Sequence, residues 1–116
     1  MGKRSVLIID DEVGILNLLS RFLKRKGFEV HTAVNLTDGK SQLQNIAPDF
    51  LFLDVNLPDG NGLDSLPNLK SIQPELNVIM MSAFDQKIMR DEAKSKGALA
   101  FLSKPFSFDE IDLLIN

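Results

Sequence analysis

Three aspartates, a serine and a lysine stand at the ends of apolar runs, where together they have the makings of a site for a cation or a phosphate. Asp10 and Asp11 follow "SVLII", Asp54 closes "FLFLD", Ser82 closes "NVIMMS" and Lys104 follows "ALAFLS". Each alone has an ordinary explanation: acidic pairs cap helices, an aspartate often ends a strand, and a single serine or lysine carries no signal. Five such residues at the ends of four runs are harder to explain that way. Three carboxylates brought together repel one another unless a cation lies among them. With only oxygen ligands on offer, the natural cation is Mg²⁺, which uses a few carboxylates and keeps positions open for water and phosphate oxygens.

Those residues converge only if the runs lie side by side. Five runs read as buried strands: 5–10, 28–33, 50–54, 77–82 and 98–103. Most are apolar throughout, as strands covered on both faces of a parallel sheet are. Segments of helical character separate them. "EVGILNLLSRFLKRKG" places Val13, Leu16, Leu19 and Leu23 on one face, with acids before it, bases at its end and Gly27 as a stop. A second helix is expected over 35–46, capped by Asn35, carrying Leu36, Leu43 and Ile46, weakened by Gly39 and closed by Pro48. A third covers 64–73 with Pro67 in its first turn and Pro74 beyond its end. The fourth, 85–97, is polar with a thin apolar stripe and ends at Gly97; the fifth, 107–116, opens with Ser107 and Glu110 in capping-box spacing.

This alternation predicts an α/β fold, a doubly wound five-stranded parallel sheet in the flavodoxin-like order 2-1-3-4-5 with helices on both faces. Strands one, three, four and five then lie in a row, about 4.8 Å apart, and such folds bind ligands at the carboxyl edge of the strands. Asp10, Asp11, Asp54, Ser82 and Lys104 all fall on that edge.

Bulk properties narrow the class. The 116 residues, 44% hydrophobic, form one domain, 1–116, with a substantial core. No cysteine is present, so disulfides and thiolate chemistry are excluded, which suits a reducing cytoplasm. The single histidine, His31, makes no metal cluster and reads as structural. The first apolar run, five residues long, is too short for a signal peptide or membrane span. Thirteen basic against sixteen acidic side chains give a net charge of −3, which offers no field to recruit nucleic acid.

"IIDDE" (8–12), "LDVNLPDGNG" (53–62), "MMSA" (80–83) and "FLSKPF" (101–106) resemble, in order and spacing, the receiver domain of two-component response regulators. The likeness spans essentially the whole chain. It implies that Asp54 accepts a phosphoryl group from the phosphohistidine of a sensor histidine kinase or phosphotransfer protein. Mg²⁺ would be held by Asp10, Asp11, Asp54 and the main-chain carbonyl of Asn56. Lys104, aimed by a cis bond to Pro105, and Ser82 would contact the phosphoryl group. Phe101 matches the family's aromatic switch position, but as Phe it lacks the hydroxyl of many relatives. The resemblance also implies signalling through the face of helix four, strand five and helix five, and it leaves room for a phosphorylation-dependent homodimer and for an effector domain beyond residue 116. Asn56 and Phe84 flank the acceptor, at positions that in the family influence the attack of water. Met80, Met81 and Met89 read as core or core-edge residues.

Two other functions fit parts of the same pattern. An aspartyl-phosphate phosphohydrolase of the haloacid dehalogenase type also uses a strand-terminal Asp and Mg²⁺, but wants a second Asp two residues on, in the first strand; here the residue is Asn56 and the strand is the third. A flavin-binding module would place a phosphate at "DDEVG", which repels it unless a cation intervenes.

Overall fold

Strands that are apolar on both sides need a layer of helices on each, and that is the arrangement found in the computed structural model, which describes residues 3–84 and 86–116. Strands β1 (Ser5–Ile9), β2 (Glu29–Ala33), β3 (Phe50–Asp54), β4 (Asn77–Ser82) and β5 (Ala100–Ser103) form one parallel sheet in the order β2-β1-β3-β4-β5. Side chains alternate cleanly between two cores. Leu7, Ile9, Leu51, Leu53, Val78 and Met80 face one side, with α2 (Leu36–Leu43), α3 (Gly62–Ile72) and Ala93 of α4 (Lys87–Ser95). Val6, Ile8, Phe50, Phe52, Ile79 and Met81 face the other, with α1 (Val13–Arg25) and α5 (Phe108–Ile115). Met89 packs, partly buried, at the edge of the first core.

The central strand β3 is buried at every residue, so its position is set by packing on both faces and by hydrogen bonding on both edges. Two glycines let helices approach it and β1 closely. A side chain on Gly39 of α2 would run into Ile9, so the residue that lowers α2's intrinsic propensity is needed for its packing. A Cβ on Gly62, the first residue of α3, would collide with the main-chain carbonyl of Asp54.

Helix boundaries depart from the expected ones in instructive ways. Leu16, Leu19 and Leu23 of α1 are buried, but Val13 is 62% exposed, because the first turn begins at the carboxyl edge where no strand underlies it. Helix α3 starts at Gly62, two residues early, since Asn61 accepts a hydrogen bond from the Asp64 amide and caps it. Pro67 therefore sits in the second turn, not the first. The carbonyl it leaves without an amide partner, that of Leu63, instead accepts a long 3.4 Å hydrogen bond from Lys96 Nζ. The caps at Asn35 and the Ser107–Glu110 capping box form as expected. Gly27 and Gly97, at positive φ, stop α1 and α4. The expected start of the fourth helix at Asp85 lies outside the described residues. His31 stands on the edge strand β2, with Nε2 3.8 Å from Glu29, as a structural residue would.

The contact between Gly62 and the acceptor strand makes a test. Gly62→Ala should destabilise the protein by roughly 1–3 kcal/mol, because the backbone of β3 cannot yield without disturbing both cores. Urea unfolding measures it; unchanged stability would mean that the α3–β3 approach is looser than described.

Candidate functional site

The parallel register delivers the polar residues to one place. Ile9 is level with Leu53, so Asp10 follows beside Asp54; Asp54 is level with Met81, and Ser82 with Ser103, after which comes Lys104. Among the described residues the buried polar side chains are Asp10, Asp54 and Ser82, which are 0%, 5% and 0% exposed. Burial of polar groups is unfavourable wherever it is not compensated, so their coincidence at one sheet edge marks a site rather than a core.

Compensation comes chiefly from Lys104. Its ammonium lies 2.8 Å from Asp10 Oδ2, 2.9 Å from Glu12 Oε1 and 3.3 Å from Asp54 Oδ1. Burial alone would push this ammonium down, but hydrogen bonds to Asp10 and Glu12 and the charge of Asp54 outweigh it and hold Lys104 above its ordinary value. Asp54 moves the other way. Burial, then the charge of Asp10, raise it from 3.8 to about 6 against the pull of Lys104, with Asp11 adding a little. Asp10 is fixed in turn by the Glu12 amide, which donates to its Oδ1 at 2.9 Å. One carboxylate oxygen from each of Asp10, Glu12 and Asp54 lies within 4.8 Å of the others. An all-oxygen set of three acids suits a hard divalent cation and offers no soft or nitrogen donor.

Asp11 is exposed and stands outside this cluster, whereas Glu12 joins it. Sequence reasoning missed Glu12 by counting it among the acids leading into α1. It is the N-cap residue of that helix, yet its side chain makes no capping bond and reaches Lys104 instead. Ser82 Oγ accepts from the Phe84 amide at 3.0 Å, and the Lys104 amide donates to the Ser82 carbonyl at 2.8 Å, tying the ends of β4 and β5 together. Phe84 is 62% exposed beside this junction. The Lys104–Pro105 bond is cis. Phe101 is partly buried at the edge of the first core, with the Arg90 guanidinium 5.1 Å from its ring centre.

Asn56 follows the acceptor strand in a two-by-two hairpin, Asn56–Leu57 against Gly60–Asn61, which leads into α3. At its turn stands Asp59, to which the sequence alone assigned no role. Its carboxylate accepts from the Leu36 amide at 2.8 Å, the Thr37 amide at 2.9 Å and Thr37 Oγ1 at 2.7 Å, and these bonds lower its pKa to about 2. A surface groove of about 510 Å³ between α1 and α5, lined by Leu18, Phe22, Phe108 and three basic residues, contains none of the site's residues.

With fold and site in place, the comparisons agree. Residues 6–116 match the response regulator receiver domain family. The chain is 35% identical over its whole length to the chemotaxis protein CheY of Thermotoga maritima, covering 97% of that protein. It is 36% identical to the DNA-binding transcriptional regulator NtrC of Azospirillum brasilense over 96% of this chain, but spans only 23% of that longer protein. The solved complex of CheX and CheY with beryllofluoride and Mg²⁺ from Borrelia burgdorferi superposes with a TM-score of 0.91 at 26% identity, over 97% of this chain and 86% of that one. This chain belongs to the response regulator receiver domain family of two-component signalling systems, a family of signalling domains rather than of conventional enzymes. Membership sets aside the phosphohydrolase and flavin readings. No helix among the described residues is long and apolar enough to cross a membrane.

The raised pKa of Asp54 predicts a pH-dependent stability. A folded-state value of about 6 exceeds the ordinary 3.8, so the folded protein binds this proton more tightly than the unfolded chain. The ionised carboxylate therefore weakens the fold above pH 6, and the penalty vanishes as pH falls below about 4. Asp54→Asn should stabilise the metal-free protein at pH 7, by on the order of 1–2 kcal/mol once solvent at the mouth of the site is allowed for. Thermal melts of both proteins from pH 4 to 8 would show the gain shrinking toward the acid end; a gain independent of pH would contradict the assignment.

Proposed function

We propose that this domain is a phosphorylation-dependent switch in which Asp54 accepts a phosphoryl group from the phosphohistidine of a sensor histidine kinase or phosphotransfer protein. The observation that carries the reading is a buried strand-terminal carboxylate set between a lysine and two further acids. An Asp54 oxygen attacks phosphorus as the phosphorus–nitrogen bond breaks, and the electron pair returns to the imidazole nitrogen. Asp10, Asp11, Asp54 and the Asn56 carbonyl would hold Mg²⁺, with Glu12 as a further acid beside Lys104. The ion, when bound, offsets the charge gathering on the phosphoryl oxygens. With the cation present, Lys104 no longer has to neutralise Asp10 and Glu12 and is freed to meet the phosphoryl group. The Ser82 hydroxyl, now engaged by the Phe84 amide, would turn to donate to it.

That turn couples the site to a surface. As Ser82 leaves the Phe84 amide, Phe84 is released, Phe101 moves inward, and the face of α4, β5 and α5 changes shape. Helix α4 favours the change: its buried residue is Ala93, and Ile88 is 73% exposed. A second copy of this domain or an effector would read the altered face. The domain itself, at net charge −3, is not expected to bind nucleic acid directly; the cytoplasm, where the kinases' phosphohistidines are exposed, is the fitting compartment.

Intact-protein mass spectrometry should show one phosphoryl group added from acetyl phosphate in the presence of Mg²⁺, none after chelation and none in Asp54→Asn. Equal labelling of wild type and variant would refute the acceptor assignment.

Lifetime gives a second test. Phe84 is apolar and exposed at the rim, unable to hydrogen-bond a water, whereas Asn56 is polar and able to orient one. In-line placement of water supplies much of the catalysis in phosphoryl hydrolysis. Phosphorylated Phe84→Glu should therefore lose its phosphoryl group faster than wild type after the donor is removed, at fixed Mg²⁺. A decay no faster than wild type returns Phe84 to a covering role.

A further inference from the structure

Helix α2 begins with three amides that have no partner inside the helix, and two different residues satisfy them. Asn35 accepts from Asp38, as a local N-cap does. Asp59, more than twenty residues away in the chain, takes the Leu36 and Thr37 amides and the Thr37 hydroxyl. Its charge also lies at the positive end of the helix. The rest of the hairpin is fastened elsewhere: the Gly62 amide donates to the Val55 carbonyl at 2.7 Å, and Asn61 caps α3. Leu57 packs against the core that contains Leu36. The turn's polar attachment to the far side is Asp59.

We propose that Asp59 is a positioning residue for the metal site: by clasping the N-terminus of α2 it fixes the hairpin that carries the Asn56 carbonyl. The inference rests on the metal reading of the proposed function. A carbonyl ligand has no side-chain rotamer to adjust, so its aim depends wholly on the backbone holding it. With one end fixed at Val55 and α3 and the turn fixed on α2, the backbone at Asn56 has little freedom. Without Asp59 it would move as a flap, and binding the ion would have to order it. Outer partners that orient ligands in this way commonly contribute tenfold or more to metal affinity.

The test compares two substitutions at the same helix terminus. Asp59→Asn takes away the charge and one of the two acceptor oxygens, setting a donor NH₂ against an amide hydrogen and so loosening the tether, whereas Asn35→Ala weakens the start of α2 and leaves the hairpin bonds in place. In metal-free protein, amide hydrogen exchange by NMR should show faster exchange over residues 56–61 in Asp59→Asn and not in Asn35→Ala. Titration with Mg²⁺ should give a dissociation constant raised about tenfold in Asp59→Asn and changed less than about twofold in Asn35→Ala. Should Asp59→Asn fail to fold, Thr37→Val, which keeps both amide bonds, is expected to shift both readouts in the same direction by less. Unaltered exchange over 56–61, or an equal loss of Mg²⁺ binding in Asn35→Ala, overturns the tether. Wild type that binds no Mg²⁺ overturns the metal reading instead, and the exchange measurement, made without metal, still judges whether Asp59 holds the hairpin.

Discussion

The ammonium of Lys104 among three carboxylates is the interaction on which the site depends. Asp10 and Asp54 are buried at adjacent strand ends, an arrangement that is unfavourable without a positive charge within a few ångströms. Lys104 meets that need, and its side chain is itself only 8% exposed, so the pairing is little screened by solvent. The compensation is incomplete. Asp54 remains well above its ordinary pKa, through burial first and the charge of Asp10 second, and a divalent cation would offset both. The resting site is thus a charge balance that another cation can take over, and any such replacement changes what Lys104 touches.

Holding those charges in register falls to the part of the sheet with the least freedom. β1, β3 and β4 are filled on both faces, and the glycines at 39 and 62 bring α2 and α3 against them at distances no side chain would permit. The far end is looser. Helix α4 has one buried side chain, and β5 is fully buried only at Leu102. Local opening is least costly where few apolar contacts are broken, so the proposed change at Ser82 would propagate toward α4 and β5 rather than into β1 or β3.

What could be read from sequence follows the same division. Strands covered on both faces are written as uninterrupted apolar runs, so β1, β3 and β4 fall within a residue of their expected ends, and Asp10, Asp54 and Ser82 lie together at the sheet edge where their positions in the sequence put them. β5 was expected two residues early because Ala98 and Leu99 are apolar, yet Leu99 is half exposed at the approach to the strand. Glu12 and Asp59 were legible as residues but not as partners. Both are acids at helix-start or turn positions, where local chemistry already explains them, and only three-dimensional placement shows one reaching Lys104 and the other reaching α2. Pro67 misled for a similar reason: the carbonyl it frees, that of Leu63, is met by Lys96, a contact no local pattern encodes.

The two edges of the sheet are protected by different means. An open strand edge is a hazard that proteins blunt with charge or cover with another element. β2 uses the first device: its two exposed residues, Glu29 and Thr32, are polar, and nothing need move there. β5 uses the second. Arg90 reaches from α4 across the Phe101 ring and donates to Ser103 Oγ at 3.1 Å, so part of this edge is covered by a helix held through polar bonds at the surface. Such bonds contribute less than apolar burial and can be exchanged one for another. Ser103 is level with Ser82 across the β4–β5 pair, which places one end of that clasp a single strand away from the hydroxyl expected to turn toward a phosphoryl group. The edge that is protected by a detachable cover, rather than by its own sequence, is therefore the one through which the proposed change at the site would be felt outside.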